Sequence, residues 1–453
     1  MANNKCNRDG FATKLGVLTA TLGSAVGLGN IWKFPYMTGE HGGATFLAVY
    51  LLCTLLVGMP IMVSEIMLGR YGKANVFATW RKLTPNKAWS LVGVGGVVAA
   101  VALMAFYSGV VGWVYSYIVK AITGQLNTTD PAVAQAVFND MVSDTWSALG
   151  WQWFVFIVVS VVIIAGVSKG IERVTKTLMP ILFAMLLIVC VRSLTLPKAL
   201  EGLSFLFSPD FSKVTKEMVL MALGLAFFKL SLGVGTMMTY GSYFRDDANI
   251  PYTATRVMLA DLTVSLLAGI AIFPAVFNYG FEPAAGPGLL FMTIPAVFSS
   301  MPMGQLFMSI FFILTGIATV GAMLSIIEVP VAFMAETWTG CSRKLAAIVT
   351  STTLAIFGIP ATLSFGVLSD VKFFGRTAFD CYDFLSSNII MPSAGLMICL
   401  FIGWVWGREN VRRALSNNDA LSNRKLVDIY FFLVKFVSPV LVLLVLLKGL
   451  GVF

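Results

Sequence analysis

Charge is scarce in this chain. Only 12% of its 453 residues are Asp, Glu, Lys or Arg, about half the share of a soluble domain, which excludes an ordinary solvated surface. Histidine is reduced to His41, and the six cysteines are scattered. Neither metal-ligand spacing nor a disulfide framework can be built from them. A metalloenzyme or a hydrolase with a catalytic histidine is therefore not expected, and no enzyme is. The first 14 residues carry no cleavable leader pattern, so the first apolar stretch is expected to remain as structure. Low-complexity tracts and heptad runs are also missing.

Apolar sequence takes their place. Hydrophobic residues make up 58% of the chain, and the mean hydropathy is +0.85. Runs such as 44–64, 91–119 and 151–167 reach or approach the ~20 residues that cross a bilayer core. Cutting at charged breaks gives eleven spans near 11–38, 43–68, 90–122, 150–168, 175–194, 217–243, 253–278, 303–337, 343–359, 375–406 and 427–451. The recurrence of spans with short connections indicates one all-α bundle in the membrane. The net charge of +9 lies mostly in the loops, as a topology signal rather than a nucleic-acid surface. Its distribution places the N-terminus in the cytoplasm and the C-terminus outside a plasma (inner) membrane. The expected partners are membrane lipids and a small-molecule substrate, with no nucleic acid, and a monomer suffices. Two long outer connections, 124–150 and 280–301, stand out, and the second is placed to cap an external vestibule.

Two spans are interrupted by glycine in corresponding places: GSAVGLGN at 23–30 in the first and FKLSLGVGT at 228–236 in the sixth. Glycine costs a helix about 1 kcal/mol, and backbone uncoiled at membrane depth must line a cavity or be buried in protein. A matched pair points to two inverted five-helix halves with a solute site between the breaks, an inference borrowed from transporters built this way rather than derived afresh. The halves are expected at 1–200 and 201–407, followed by a cytoplasmic linker and the eleventh helix at 408–453. Close helix packing is the competing account, since Gly23 and Gly27 form a GxxxG pattern. Glu65, Lys229, Asp261 and Asp383 fall inside apolar runs, where a charge costs at least about 2.5 kcal/mol unless paired or facing water. Lys229 and Asp261 are expected to pair. Glu65 either satisfies backbone groups freed at a break or touches the solute.

The segments 23–33 (GSAVGLGNIWK), 65–72 (EIMLGRYG), 227–243 (FFKLSLGVGTMMTYGSY), 286–298 (GPGLLFMTIPAVF) and 366–370 (GVLSD) resemble the neurotransmitter:sodium symporter family, in particular its eleven-helix bacterial amino-acid transporters. The likeness runs from about 8 to 407. It implies the LeuT fold, alternating access and a cation-coupled symporter, with sodium the expected ion, that imports a small amino acid or a related hydrophobic or aromatic solute. Carried over residue by residue, the substrate pocket comprises Ser24, Ala25, Gly27, Gly29, Leu103, Tyr107, Phe228, Ser231, Val234, Ala322 and Ile326. Val234, where relatives often have an aromatic, implies room at the apolar end. Lys33 with Asp383 matches the outer gate, and Arg8 with Glu336, near Tyr243, the inner one. Gly170 and Pro180 match a pattern that permits the fifth span to uncoil, or else mark an ordinary helix start.

The ion sites depart from the pattern. At site one Asn30 and the Ala25 carbonyl persist, but Lys229 and Asp261 stand at the hydroxyl and amide positions. An ammonium has three donors and no acceptor, so the expected reading is that Lys229 replaces the ion and Asp261 neutralises it. Site two keeps the carbonyls of Gly23, Val26 and Ala318 but has Gly321 and Ala322 at its hydroxyl positions, unless Thr315, Thr319 or water completes the shell. At most one sodium per cycle is expected. Two alternatives stay open: import of a neutral aromatic such as indole, and a sensor that binds solute without moving it. Proton coupling through Lys229 and Asp261 is a further possibility.

Overall fold

The computed structural model describes residues 10–283, 286–338 and 341–452. Its described residues contain no strand beyond one isolated bridge between Phe373 and Arg376. Among the described residues nine helices are long and apolar enough to cross a membrane: Ala44–Gly72, Lys87–Ile122, Thr145–Ile164, Val167–Leu194, Ile250–Asn278, Gly304–Thr337, Arg343–Phe365, Ala378–Leu415 and Arg424–Gly449. They are the second to fifth and seventh to eleventh spans. The first is a bent pair, Lys14–Ala25 and Gly29–Glu40, turned by 50°. The sixth is broken into Lys216–Lys229 and Thr236–Ser242.

Both interruptions fall on the glycine-rich segments. In the first span Val26 ends the helix in an extended conformation (φ −87°, ψ 111°). In the sixth, Ser231, Gly233 and Gly235 have φ of 50°, 76° and 82°, a left-handed region that glycine enters without strain and serine does not. A Cβ on Gly233 would stand 2.3 Å from the Met391 carbonyl oxygen, so the break also sits where the tenth span presses closest.

The fifth span begins at Val167, eight residues before its expected start. Gly166, at φ 96°, reverses the chain in a single residue, and Val167–Glu172 then forms a wide π turn. Cutting at charges misplaced this boundary because Lys169, Glu172 and Arg173 belong to the span. The expected end of the tenth span near 406 is a real break: Gly407, at φ 84°, separates it from the short helix Gly407–Leu415.

Burial orders the spans. In the most apolar stretch of the eighth, 83% of residues are buried, against 28% in the eleventh. The eighth is thus a central post and the eleventh an outer helix. Within the connection that follows the seventh span, Phe291 enters an aromatic cluster, its ring 5.1 Å from Tyr117, 5.2 Å from Phe138 and 5.8 Å from Trp113.

Candidate functional site

A small enclosed space of about 30 Å³ lies between the two breaks, lined by Ser24, Ala25, Gly27, Leu28 and Gly29 of the first span, Leu103 and Tyr107 of the third, Phe228, Lys229 and Ser231 of the sixth, and Ala322 and Ile326 of the eighth. Every substrate residue carried over from the family is there except Val234. Val234 is fully buried, with its carbonyl against Gly96 of the third span, and takes no part in the lining. The apolar end is filled by backbone rather than left open, because the uncoiled 230–235 segment packs onto a glycine. Leu28 was not anticipated. It follows from the same break, which turns the Leu28 backbone toward the Tyr107 hydroxyl.

Polar groups hold the breaks together. The Ser231 hydroxyl donates to the Ser24 carbonyl at 3.4 Å. Glu65 accepts from the Gly233 N–H at 2.6 Å, which favours its service to freed backbone over contact with solute. Uncoiling leaves donors that must be satisfied inside the protein, and Glu65 is fully buried beside them.

At site one, Lys229 and Asp261 pair at 3.1 Å with neither side chain exposed. The Lys229 ammonium also donates to the Tyr50 hydroxyl at 2.8 Å and to Ser265 Oγ at 2.5 Å. The ammonium is therefore held by two hydroxyls and one carboxylate. The Asn30 amide nitrogen donates to Asp261 Oδ1 at 2.6 Å, while its oxygen accepts from the Gly27 N–H at 3.2 Å. These residues do not fit a sodium ion, since the donor set presents an ammonium and an amide N–H where oxygen ligands are required. Tyr50 and Ser265 went unnoticed in the sequence because hydroxyls in apolar spans are common and carry no pattern of their own.

Site two fits only in part. Gly23, Val26 and Ala318 still offer carbonyls, but Thr315 and Thr319 donate within their own helix to the Phe311 and Gly316 carbonyls at 2.7 and 2.6 Å. A Cβ on Gly321 would stand 2.5 Å from the Gly23 oxygen, so the first and eighth spans come closest where a hydroxyl residue would have stood.

The gates are unequally formed. The Lys33 ammonium lies 3.8 Å above the Phe228 ring, and Asp383 accepts from Ser387 Oγ at 2.7 Å. No ion pair joins Lys33 to Asp383 among the described residues, so in this conformation a cation–π contact covers the pocket roof. Arg8 lies outside the described residues. Glu336 accepts from the Asn75 backbone N–H at 2.7 Å. Tyr243 donates to Glu328 at 2.5 Å, and Arg343 grips the same carboxylate with two bonds at 2.8 and 2.7 Å. The Glu328–Arg343 pair was missed, although the carboxylate of Glu328 deep within the apolar run 303–337 was the signal that could have found it.

The space between the two broken helices is thus small, and Phe228, one of its walls, lies beneath the Lys33 ammonium. The family model for the sodium:neurotransmitter symporter family matches residues 8–140 and 139–453. The chain belongs to the sodium:neurotransmitter symporter family. It is 41% identical over 445 residues to an uncharacterized sodium-dependent transporter, YhdH, of Bacillus subtilis (strain 168), covering 98% of each chain. It is 33% identical to another from Haemophilus influenzae, covering 99% of this chain and 100% of that one. Among solved structures, MhsT in complex with L-phenylalanine matches with a TM-score of 0.88 and 41% identity, over 98% of this chain and 100% of that one. The fold is the LeuT fold, two inverted five-helix repeats and a C-terminal helix, in a sodium-dependent membrane transporter whose relatives are transporters rather than enzymes.

Proposed function

We propose that this symporter imports a hydrophobic or aromatic amino acid by alternating access, with one sodium ion per cycle. The observation that carries the reading is a cavity lined by both breaks, with the Leu28–Gly29 segment, Tyr107, Phe228, Leu103 and Ile326 among its walls. Uncoiled backbone and a hydroxyl suit a carboxylate, and the apolar side chains suit its hydrophobic end. A solved relative holding L-phenylalanine supports the class of solute. The present cavity is smaller than such a solute, so loading requires the Phe228 roof to lift.

Lys229 pairs with Asp261, donates to Tyr50 and Ser265, and serves as a fixed charge in place of the first ion. The remaining sodium falls to the carbonyls of Gly23, Val26 and Ala318. The repeats run from 1–200 and 201–407, a monomer is the working unit, and the N-terminus is cytoplasmic with the C-terminus outside.

Uptake of labelled phenylalanine into proteoliposomes tests this. Accumulation should require an inward sodium gradient, with a sodium Hill coefficient of about one. Indole uptake without amino-acid uptake would favour the neutral-aromatic reading. Binding with no counterflow would make the protein a sensor.

A further inference from the structure

We propose that Glu172 is a latch by which the fifth span holds the cytoplasmic end of the first, so that uncoiling of Val167–Glu172 and departure of the first span are one event. The proposal rests on the alternating-access reading above.

The first span starts with Thr13, whose hydroxyl caps it by accepting from the Gly16 N–H at 2.9 Å. The same hydroxyl donates to Glu172 Oε1 at 2.7 Å, and the Ala12 N–H donates to Glu172 Oε2 at 2.7 Å. A helix start presents unpaired N–H groups and a partial positive charge, and here the carboxylate comes from 159 positions away in the sequence. Glu172 is 2% exposed. Its charge is balanced by Lys176 one turn further on, at 2.5 Å, so it stays an ionised acceptor and both bonds to the first span are charge-assisted.

The fit is close. A Cβ on Gly16 would stand 2.1 Å from the Glu172 carboxyl carbon, so the carboxylate reaches the cap only because residue 16 is glycine. Gly23, two turns further along, meets Thr175 and Met179 in the same way, at 3.2 and 3.8 Å. Glu172, Thr175 and Met179 fall on one helical face, and Glu172 is the one of the three that carries charge to the first span.

Glu172 is also the last residue of the π turn Val167–Glu172. Such turns are rare and concentrate at functional sites. This one is entered through Gly166 at φ 96°, and at Gly170 a Cβ would stand 2.0 Å from the Val162 carbonyl oxygen. The residue that must move when the turn uncoils is thus the residue that satisfies Ala12 and Thr13. Both acceptors leave together, while the contacts at Thr175 and Met179 lie beyond the turn.

The test reads conformation with a small thiol reagent on full-length protein in proteoliposomes, in a background without native cysteines. The reporter is Thr21→Cys, fully buried in the cytoplasmic half of the first span, and the control is Ser386→Cys, fully buried in the tenth. Glu172→Ala should raise the labelling rate of Thr21→Cys about tenfold, the order expected for losing charge-assisted bonds, and leave Ser386→Cys unchanged. Glu172→Gln keeps one acceptor oxygen and should give an intermediate rise. An unchanged rate at Thr21→Cys, or an equal rise at both reporters, would overturn the latch. Labelling needs neither solute nor ion, so a failure of phenylalanine uptake alone would count against the proposed function and not against Glu172.

Discussion

Lys229 shows how one side chain can change what a site holds. Its ammonium and the Asp261 carboxylate are both without exposure, and removing one partner of such a pair leaves a buried charge uncompensated, at a cost of about 3–5 kcal/mol. Lys229→Met should therefore lower thermal stability markedly, and adding Asp261→Asn should restore much of it. A double-mutant cycle in thermal unfolding measures that coupling. Lys229→Thr with Asp261→Asn returns oxygen ligands to site one. Its sodium dependence should steepen from a Hill coefficient of about one toward two, and a value held at one would sink the lysine-for-sodium reading. Gly27 makes a second residue-scale case. A Cβ there would stand 3.1 Å from the Ala322 Cβ and 3.4 Å from the Tyr107 hydroxyl, so Gly27→Ala needs only small shifts, whereas Gly27→Leu fills the cavity. Phenylalanine binding should fall by more than about tenfold in the leucine variant, and unchanged binding would place the solute elsewhere.

At the scale of elements, the broken sixth span survives because its freed backbone is satisfied from outside. Glu65, on the second span, takes the Gly233 N–H. Glu65→Ala should cost about 1–3 kcal/mol, the penalty of a buried donor left without a partner, and Glu65→Gln should recover part of it through its carbonyl oxygen. Equal melting temperatures for the alanine variant and wild type would show that another group takes over. On the side that the proposed topology makes cytoplasmic, Arg343 opens the ninth span and clamps Glu328 of the eighth. Arg343→Ala should bias the resting protein toward opening inward, read as faster labelling of a cysteine in the cytoplasmic half of the first span. The breaks, the pairing of Lys229 with Asp261 and the span count were legible in the sequence, because each leaves a mark in residue type along the chain. The Glu328–Arg343 clamp and the cap by Glu172 were not, because Arg343 and Glu172 lie near the ends of their spans, where a charge is ordinary and does not mark itself.

The whole molecule is a bundle whose central spans are enclosed and whose last span faces outward. In the proposed topology the loop charges set the orientation, with Arg70, Lys73, Arg81, Lys82, Arg408, Arg412 and Arg413 assigned to the cytoplasmic side. A fluorescent protein fused after residue 453 should therefore stay dark in cells, and an alkaline phosphatase fused there should be active. The reverse pattern would invert the proposed topology.

Composition and the placement of glycine were sufficient for the membrane bundle and the two breaks, whereas the pocket-lining positions came from the resemblance to the symporter family. A span declares itself by twenty apolar residues in a row, and a break by glycine within that row. Tertiary structure alone decided that Val234 leaves the pocket, that Lys33 covers Phe228 instead of pairing with Asp383, that the threonine hydroxyls turn away from site two and that Glu172 caps a helix 159 positions away. These outcomes depend on which helix faces meet and how closely. Distances between helices are fixed by packing the whole bundle at once, and no local stretch of sequence records them.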